Sequence, residues 1–286
     1  MASILLCLIA ALSPQEILVS PAQLMQMEGA LIVDARPVAE YAAGHIPGAV
    51  NLPKHELSEE RGGVANLLKP EGEVRRMLAE TGLNPAKHIV VYTESDGLPA
   101  LTEATRVFWV LEYFGYPRVS LLNGGYQAWL EAGGGTQEKP IRLPALDAAA
   151  HGLKPLPERL ATLAEVQALI QDQHTLLADM RPDKYYSGQE KKDFVEQRGH
   201  IPTAVSTPGP ALLEGGHLSF KTPRQLREAL QAKTGKSLDT PVVTYCNSGN
   251  MGTVGYLGYR LAGFKDVALF DGSMALWTHN RERPVE

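Results

Sequence analysis

The chain has 286 residues, with 27 Lys and Arg against 32 Asp and Glu and a net charge of −5, and no basic block that would give the electrostatic footprint of a nucleic-acid binder. Its two cysteines, Cys7 and Cys246, are too few and too far apart for a disulfide framework or a cysteine-rich metal site. With 44% hydrophobic and 21% charged residues it reads as a globular chain, long enough for about two domains that each bury a core.

Ile4 to Leu12 is an apolar run of signal-peptide length, too short to span a bilayer as a helix. Residues 1–14 are therefore read as an N-terminal apolar segment and the protein as periplasmic or otherwise exported. Against this, no Lys or Arg precedes the run and Ala10-Ala11-Leu12-Ser13-Pro14 is a poor cleavage site, so a buried segment of a cytoplasmic protein is the alternative.

From residue 15 onward the chain says most of its piece twice. Ile17-Leu18-Val19 reads as a strand, and Ser20-Pro21-Ala22-Gln23 as a capping box opening a helix to about Glu28. A buried strand, Leu31-Ile32-Val33-Asp34, then leads into Ala35-Arg36-Pro37. In the second half Thr162-Leu163-Ala164-Glu165 is again a capping box, its helix runs to about Asp172, and Leu176-Leu177-Ala178-Asp179 leads into Met180-Arg181-Pro182. Tyr41 with Gly44-His45-Ile46-Pro47 is answered by Tyr185 with Gly199-His200-Ile201-Pro202. Helical patterns over Glu73 to Thr81 and Pro223 to Ala232 precede the strands Ile89-Val90-Val91-Tyr92 and Val242-Val243-Thr244-Tyr245. Asn123-Gly124-Gly125 with Trp129 is answered by Asp271-Gly272-Ser273 with Trp277. The period is well above that of solenoid repeats, so each copy is a domain. Gly133 to Pro157, rich in Gly, Pro and Ala, marks a linker; the domains are set at 15–135 and 158–286, with 136–157 between them. Alternating strands and helices predict an α/β fold in each, a mainly parallel sheet covered by helices on both faces.

Cys246 follows a buried strand and opens the polar loop Asn247-Ser248-Gly249-Asn250-Met251, beyond which Thr253 to Leu261 has helical spacing. A thiol at such a turn faces backbone N–H groups and the positive end of a helix, which favour thiolate over thiol. The plain alternative is a small buried residue closing a strand. Ligands of parallel α/β sheets bind beyond the carboxyl ends of the strands, where Cys246 falls.

The ordered set Asp-x-Arg-Pro, Tyr, Gly-His-Ile-Pro, apolar strand ending in Cys, and Asp-Gly-Ser with a following Trp resembles the rhodanese family of sulfurtransferases. The two-copy arrangement, from about Ile17 to Trp277, is similar to its tandem members, which use thiosulfate or 3-mercaptopyruvate. The resemblance implies a first domain that is catalytically silent and a second that carries sulfur as a cysteine persulfide. Aligning Val90-Val91-Tyr92-Thr93 with Val242-Val243-Thr244-Tyr245 places Glu94 opposite Cys246, and a carboxylate forms no persulfide. The silent domain is expected to wall one side of a cleft.

On this reading Cys246 is the catalytic nucleophile and the N–H groups of Asn247, Ser248, Gly249, Asn250, Met251 and Gly252 hold the terminal sulfur. Gly249 helps if its φ is positive. The resemblance points Arg181 toward the cysteine and an anionic donor, the alternative being an ion pair with Asp179; Arg36 is read as structural. His45 and His200 are turn residues rather than bases, Asp271, Ser273 and Asn123 stabilise turns, and Trp129 and Trp277 anchor the cores. The implied partners are a small anionic sulfur donor, thiosulfate first, and cyanide or a thiol as acceptor. Mercaptopyruvate, or a partner protein that feeds persulfide to a carrier, is the alternative. No cofactor, metal, nucleic acid or membrane span is indicated, and the sequence leaves the oligomeric state open. The uncharged loop departs from the basic loop of thiosulfate-preferring relatives, and Lys191, Lys192 and Arg198 are the candidates for a second substrate cation. A phosphatase loop of Cys-x5-Arg form is excluded because Gly252 stands where its Arg would be.

Overall fold

A computed structural model of the chain describes residues 12–94, 97–147, 153–172, 174–215 and 219–286. The signal-peptide reading falls largely on residues 1–11, outside the described residues. Among the described residues no helix is long and apolar enough to cross a membrane.

The first domain holds strands β1 (Leu18–Val19), β2 (Leu31–Asp34), β3 (Val50–Asn51), β4 (Ser58–Arg61), β5 (Val64–Leu68), β6 (Ile89–Tyr92) and β7 (Val119–Leu122). Its helices are α1 (Pro14–Ile17), α2 (Pro21–Gln26), α3 (Val38–Ala43), α4 (Glu71–Glu80), α5 (Gly97–Tyr113) and α6 (Gly125–Glu131). The second has β8 (Leu176–Asp179), β9 (Val205–Ser206), β10 (Leu213–Glu214), β11 (Ser219–Phe220), β12 (Val242–Tyr245) and β13 (Val267–Leu269), with α7 (Leu163–Leu169), α8 (Asp183–Tyr186), α9 (Pro223–Thr234), α10 (Asn250–Ala262) and α11 (Ser273–His279). The main sheets run β1-β7-β6-β2-β3 and β13-β12-β8-β9, with every pairing parallel. Each domain adds a two-stranded antiparallel hairpin, β4-β5 and β10-β11.

Continuous apolar strands arise because both faces of each sheet are covered. In β6, Ile89 and Val91 face one apolar cluster while Val90 and Tyr92 face another. In β12, Val242 faces the first of these clusters, with Cys246 in the same set, while Val243 and Tyr245 face a third around Trp277. Side chains alternate along a strand, so this parity sends Cys246 to the face shared with the other domain. The shared cluster unites Val107, Phe108 and Leu111 of α5 with Val254, Leu257 and Leu261 of α10.

The capping boxes at Ser20 and Thr162 form as read, and Thr222 makes a third, each hydroxyl accepting from the N–H three residues on. Several details differ. Ile17 ends a short helix instead of starting a strand, and the helices expected to reach Glu28 and Asp172 stop at Gln26 and Leu169. Helix α10 begins at Asn250, so Asn250 and Met251 belong to its first turn and not to the loop. Helix α5 was not anticipated, because ten of its residues are buried and it has no polar stripe to mark a period. Trp129 and Trp277 are core residues, their indole N–H groups donating to Gly135 and Pro284 carbonyls at 2.8 and 2.9 Å.

Asn123 and Asp271, expected to stabilise turns, bridge the domains. The Asn123 side-chain oxygen accepts the Phe220 N–H at 3.2 Å, and the Asp271 carboxylate accepts the Leu68 N–H at 2.8 Å. These are reciprocal contacts, each from the turn after one domain's sheet to the other domain's hairpin. Asp271 also pairs with the guanidinium of Arg106 on α5, both groups nearly or fully buried. Thr105 and Thr253 hydroxyls meet at 2.8 Å, and Glu112 accepts from Tyr256 and Arg260 at 2.6 and 2.9 Å. Arg106→Met would leave Asp271 charged and buried, so it should destabilise the protein by about 3–5 kcal/mol, read as a lower urea midpoint. Arg106→Met with Asp271→Asn should recover part of the loss; an unchanged midpoint in the single variant would refute a structural role for the pair.

Candidate active site

β12 pairs with β8 in the register Tyr245 to Asp179, and β6 pairs with β2 in the register Tyr92 to Asp34. Tyr245 and Tyr92 are therefore equivalent, and each hydroxyl accepts an N–H, from Ile201 and Ile46. This corrects the repeat alignment by one residue. Thr93 stands opposite Cys246, and Glu94 opposite Asn247. The same equivalence appears at the next turn, where Met274 N–H donates to Cys246 O and Tyr126 N–H to Thr93 O. The first domain still lacks a thiol at the position, since threonine forms no persulfide. A second correction concerns the tyrosines. Tyr186, not Tyr185, matches Tyr41: each stacks on the following histidine and donates to a carbonyl, Tyr41 to Ala49 at 2.8 Å and Tyr186 to Ala204 at 2.9 Å.

Cys246 is 3% exposed at the end of β12. The backbone N–H groups of Ser248 and Gly252 and the Ser273 side chain favour the charged form of its sulfur. Burial nevertheless pushes the thiol above the ordinary cysteine range, and Asp179 adds to the effect, while those three hydrogen-bonding groups act against it. The expectation that the loop and helix would favour thiolate is thus reversed in net direction, because desolvation outweighs the dipoles.

The loop residues are held from several sides. The Asn247 side-chain oxygen lies 3.5 Å from Arg181 Nη1. Ser248 C=O and the Asn250 side chain accept from Asn66 of the first domain at 2.6 and 2.9 Å. Gly249 has φ +81°, and a Cβ there would come within 2.6 Å of the Asp271 carbonyl, so the position requires glycine. Met251 lies against Gly209. Ser273 at the start of α11 accepts the N–H groups of Cys246 and Gly249, both at 3.0 Å, and donates to Phe270 O at 2.9 Å. Its equivalent in the first domain is Gly125, which has no hydroxyl. That difference between the copies was the available signal for Ser273, which the turn reading passed over.

Arg181 is 2% exposed. Its Nε and Nη2 bond Asp179 at 2.9 and 2.6 Å and Nη2 also reaches Gly199 O at 2.8 Å. The ion pair left as an alternative is therefore present. Arg36 repeats the arrangement with Asp34 and Gly44, and its Nη1 meets Glu94 as that of Arg181 meets Asn247. His45 and His200 each use Nδ1 on a carbonyl, of Tyr41 and Tyr186. Lys191 donates to Val195 O and Arg198 to Gly188 O, both within the segment after α8, and Lys192 lies over the Tyr185 ring.

Comparison with known proteins bears on this geometry. The rhodanese-like domain family matches twice, over residues 20–132 and 162–280. The chain belongs to the rhodanese family. This rhodanese-like chain is 30% identical over 257 residues to 3-mercaptopyruvate sulfurtransferase of Escherichia coli K12, covering 88% of this chain and 87% of the relative. It is 31% identical over 261 residues to human 3-mercaptopyruvate sulfurtransferase, covering 88% and 82%. With mouse thiosulfate sulfurtransferase it shares 31% over 241 residues, covering 83% and 78%. Among solved structures, EanB in a complex with ergothioneine superposes with a TM-score of 0.80 at 21% identity, over 97% of this chain and 70% of the other. The anaerobic ergothioneine biosynthesis enzyme of Chlorobium limicola, with trimethyl histidine bound, gives 0.79 at 20% over the same shares. The chain is thus a rhodanese-type sulfurtransferase with tandem domains.

Because the buried environment favours the neutral thiol, the thiolate fraction of Cys246 at a given pH is below that of an ordinary cysteine. Alkylation of Cys246 by iodoacetamide should therefore rise with pH over a window displaced upward from that of free cysteine. Ser273→Ala removes a group that acts in the other direction and should displace the window further, while leaving two buried N–H groups unpaired at a cost of about 1–3 kcal/mol each. A window at or below that of free cysteine would contradict the burial argument.

Proposed function

We propose that the enzyme transfers sulfane sulfur through a persulfide on Cys246, with 3-mercaptopyruvate as the favoured small donor over thiosulfate. The observation that carries this reading is a nucleophile-bearing loop without a charged side chain, enclosed by hydrogen-bond donors. The two arginines nearest the loop are both paired, Arg181 with Asp179 and Arg106 with Asp271. A dianion such as thiosulfate gains little from ion pairs that are neutral overall. The sulfur of mercaptopyruvate is an uncharged thiol, its carboxylate lies at the far end of the molecule, and desolvating it in a closed loop costs less. The relatives include both donor classes, with mercaptopyruvate enzymes covering slightly more of this chain. Thiosulfate as first donor, the expectation from family breadth, gives way on these grounds.

In this mechanism the Cys246 thiolate attacks the donor sulfur. A new S–S bond forms, the C–S bond of mercaptopyruvate breaks, and its electron pair leaves on the pyruvate enolate. The enolate carbon takes up the proton of the transferred thiol, giving pyruvate and Cys246–S–S⁻. A thiol or cyanide then attacks the outer sulfur and returns the thiolate. The terminal sulfur is held by residues 247–252, among which the Ser248 and Gly252 N–H groups favour negative charge on the cysteine sulfur. Arg181, its charge matched by Asp179, supports the loop through Asn247 in place of a free clamp on substrate. The enclosure of Cys246 favours a small donor over a persulfide presented on a folded partner.

Thiocyanate formation from cyanide, run on both donors, tests the reading. Cys246→Ser should abolish turnover, and kcat/KM should be higher for mercaptopyruvate. A preference for thiosulfate would overturn the donor assignment, and activity surviving in Cys246→Ser would overturn the persulfide. Ser248→Lys places a cation at the loop and should raise the ratio of thiosulfate to mercaptopyruvate activity roughly tenfold, about 1.4 kcal/mol of added attraction. A fall in that ratio would count against the electrostatic account.

A further inference from the structure

Asn66 lies on β5, in the domain without a nucleophile, yet its side-chain amide donates to Ser248 O at 2.6 Å and to Asn250 Oδ1 at 2.9 Å. It has φ +64°, and Ser273 has φ +50°; among the described residues only Thr203 otherwise combines a side chain with positive φ. Two of the three non-glycine residues in the left-handed region thus grip the Cys246 loop, one from each domain.

A trans peptide is planar, with its C=O and N–H on opposite edges. Drawing the Ser248 carbonyl toward Asn66 therefore turns the Gly249 N–H the other way, toward Ser273 Oγ at 3.0 Å. Asn66 is itself fixed, its carbonyl accepting from Arg106 Nη2 at 3.2 Å and its strand tied to Asp271 through Leu68 N–H. The resulting ring runs from Asn66 through the Ser248–Gly249 peptide, Ser273, Asp271 and Arg106 back to Asn66.

We propose that Asn66 is a positioning residue for the sulfur cradle, by which the silent domain orients the Ser248–Gly249 peptide and aligns the loop N–H groups with the Cys246 sulfur. The inference rests on the persulfide reading. The competing explanation is purely local: asparagine tolerates the left-handed conformation and holds the hairpin without acting on the loop.

Asn66→Gly and Asn66→Asp separate the two. Glycine keeps the conformation and removes the amide; aspartate keeps the size and the conformational tolerance but, when ionised, has no N–H to donate. Both should lower kcat for thiocyanate formation about tenfold or more and move the pH profile of Cys246 alkylation upward. The thermal midpoint of Asn66→Gly should stay near that of the wild type. Asp179 and Arg181 beside Cys246 are untouched by either change and Asn66→Gly adds no charge, so a displaced profile in Asn66→Gly reports the loop, whereas the carboxylate of Asn66→Asp also acts on the thiol directly. Wild-type kcat and an unmoved profile in Asn66→Gly would overturn the proposal. Mass spectrometry showing no added sulfur on wild-type Cys246 after donor treatment would sink the persulfide reading instead, and the alkylation profile would still decide the role of Asn66.

Discussion

The buried ion pair between Arg106 and Asp271 is the constraint on which the rest of the architecture depends. It joins the long helix of one domain to the turn of the other that leads into Ser273, and Asp271 also receives the Leu68 N–H of the first domain's hairpin. A pair of charges in an apolar interface is a poor source of net stability but a strong determinant of geometry, since any displacement leaves a charge unsatisfied. Around it helices α5 and α10 share one apolar cluster and are joined by polar contacts through Thr105, Thr253, Glu112 and Arg260.

That geometry makes the first domain, which has Thr93 at the position equivalent to Cys246, part of the surroundings of the cysteine. The copies share a strand order, with one more strand in the first sheet, the same Asp-Arg pair and the same histidine turn, and they differ around Cys246. Thr93 replaces Cys246, Glu94 replaces Asn247, and Gly125 replaces Ser273. The first domain instead supplies a face that closes over the cysteine and a hairpin that touches its loop. Enclosure has a cost, because it raises the thiol's pKa.

Arg181 illustrates how duplication marks the contacts that belong to the fold. Read alone, an arginine near a nucleophile suggests a substrate clamp. Its twin Arg36 makes the same bonds to Asp34 and Gly44 in a domain with no cysteine at the equivalent position, so those bonds belong to the fold. Only the Nη1 edge, facing Asn247 in one copy and Glu94 in the other, differs between them.

The sequence by itself determined the duplication, the parallel α/β class, the capping boxes and the place of Cys246, because each rests on local pattern: alternation along strands, hydroxyl and amide at fixed spacing, a polar loop between strand and helix. It aligned the copies one residue out at Thr93 and chose Tyr185 over Tyr186, since an apolar run has no internal mark of register and only the pairing of β6 with β2 and of β12 with β8 sets it. It missed α5, whose burial on most sides erases helical periodicity. The tertiary structure alone decided the partners of Asn66, Asp271 and Arg181 and the net direction of the Cys246 pKa. Those depend on which distant surfaces meet and how much water they exclude, and neither quantity is written in the neighbouring residues.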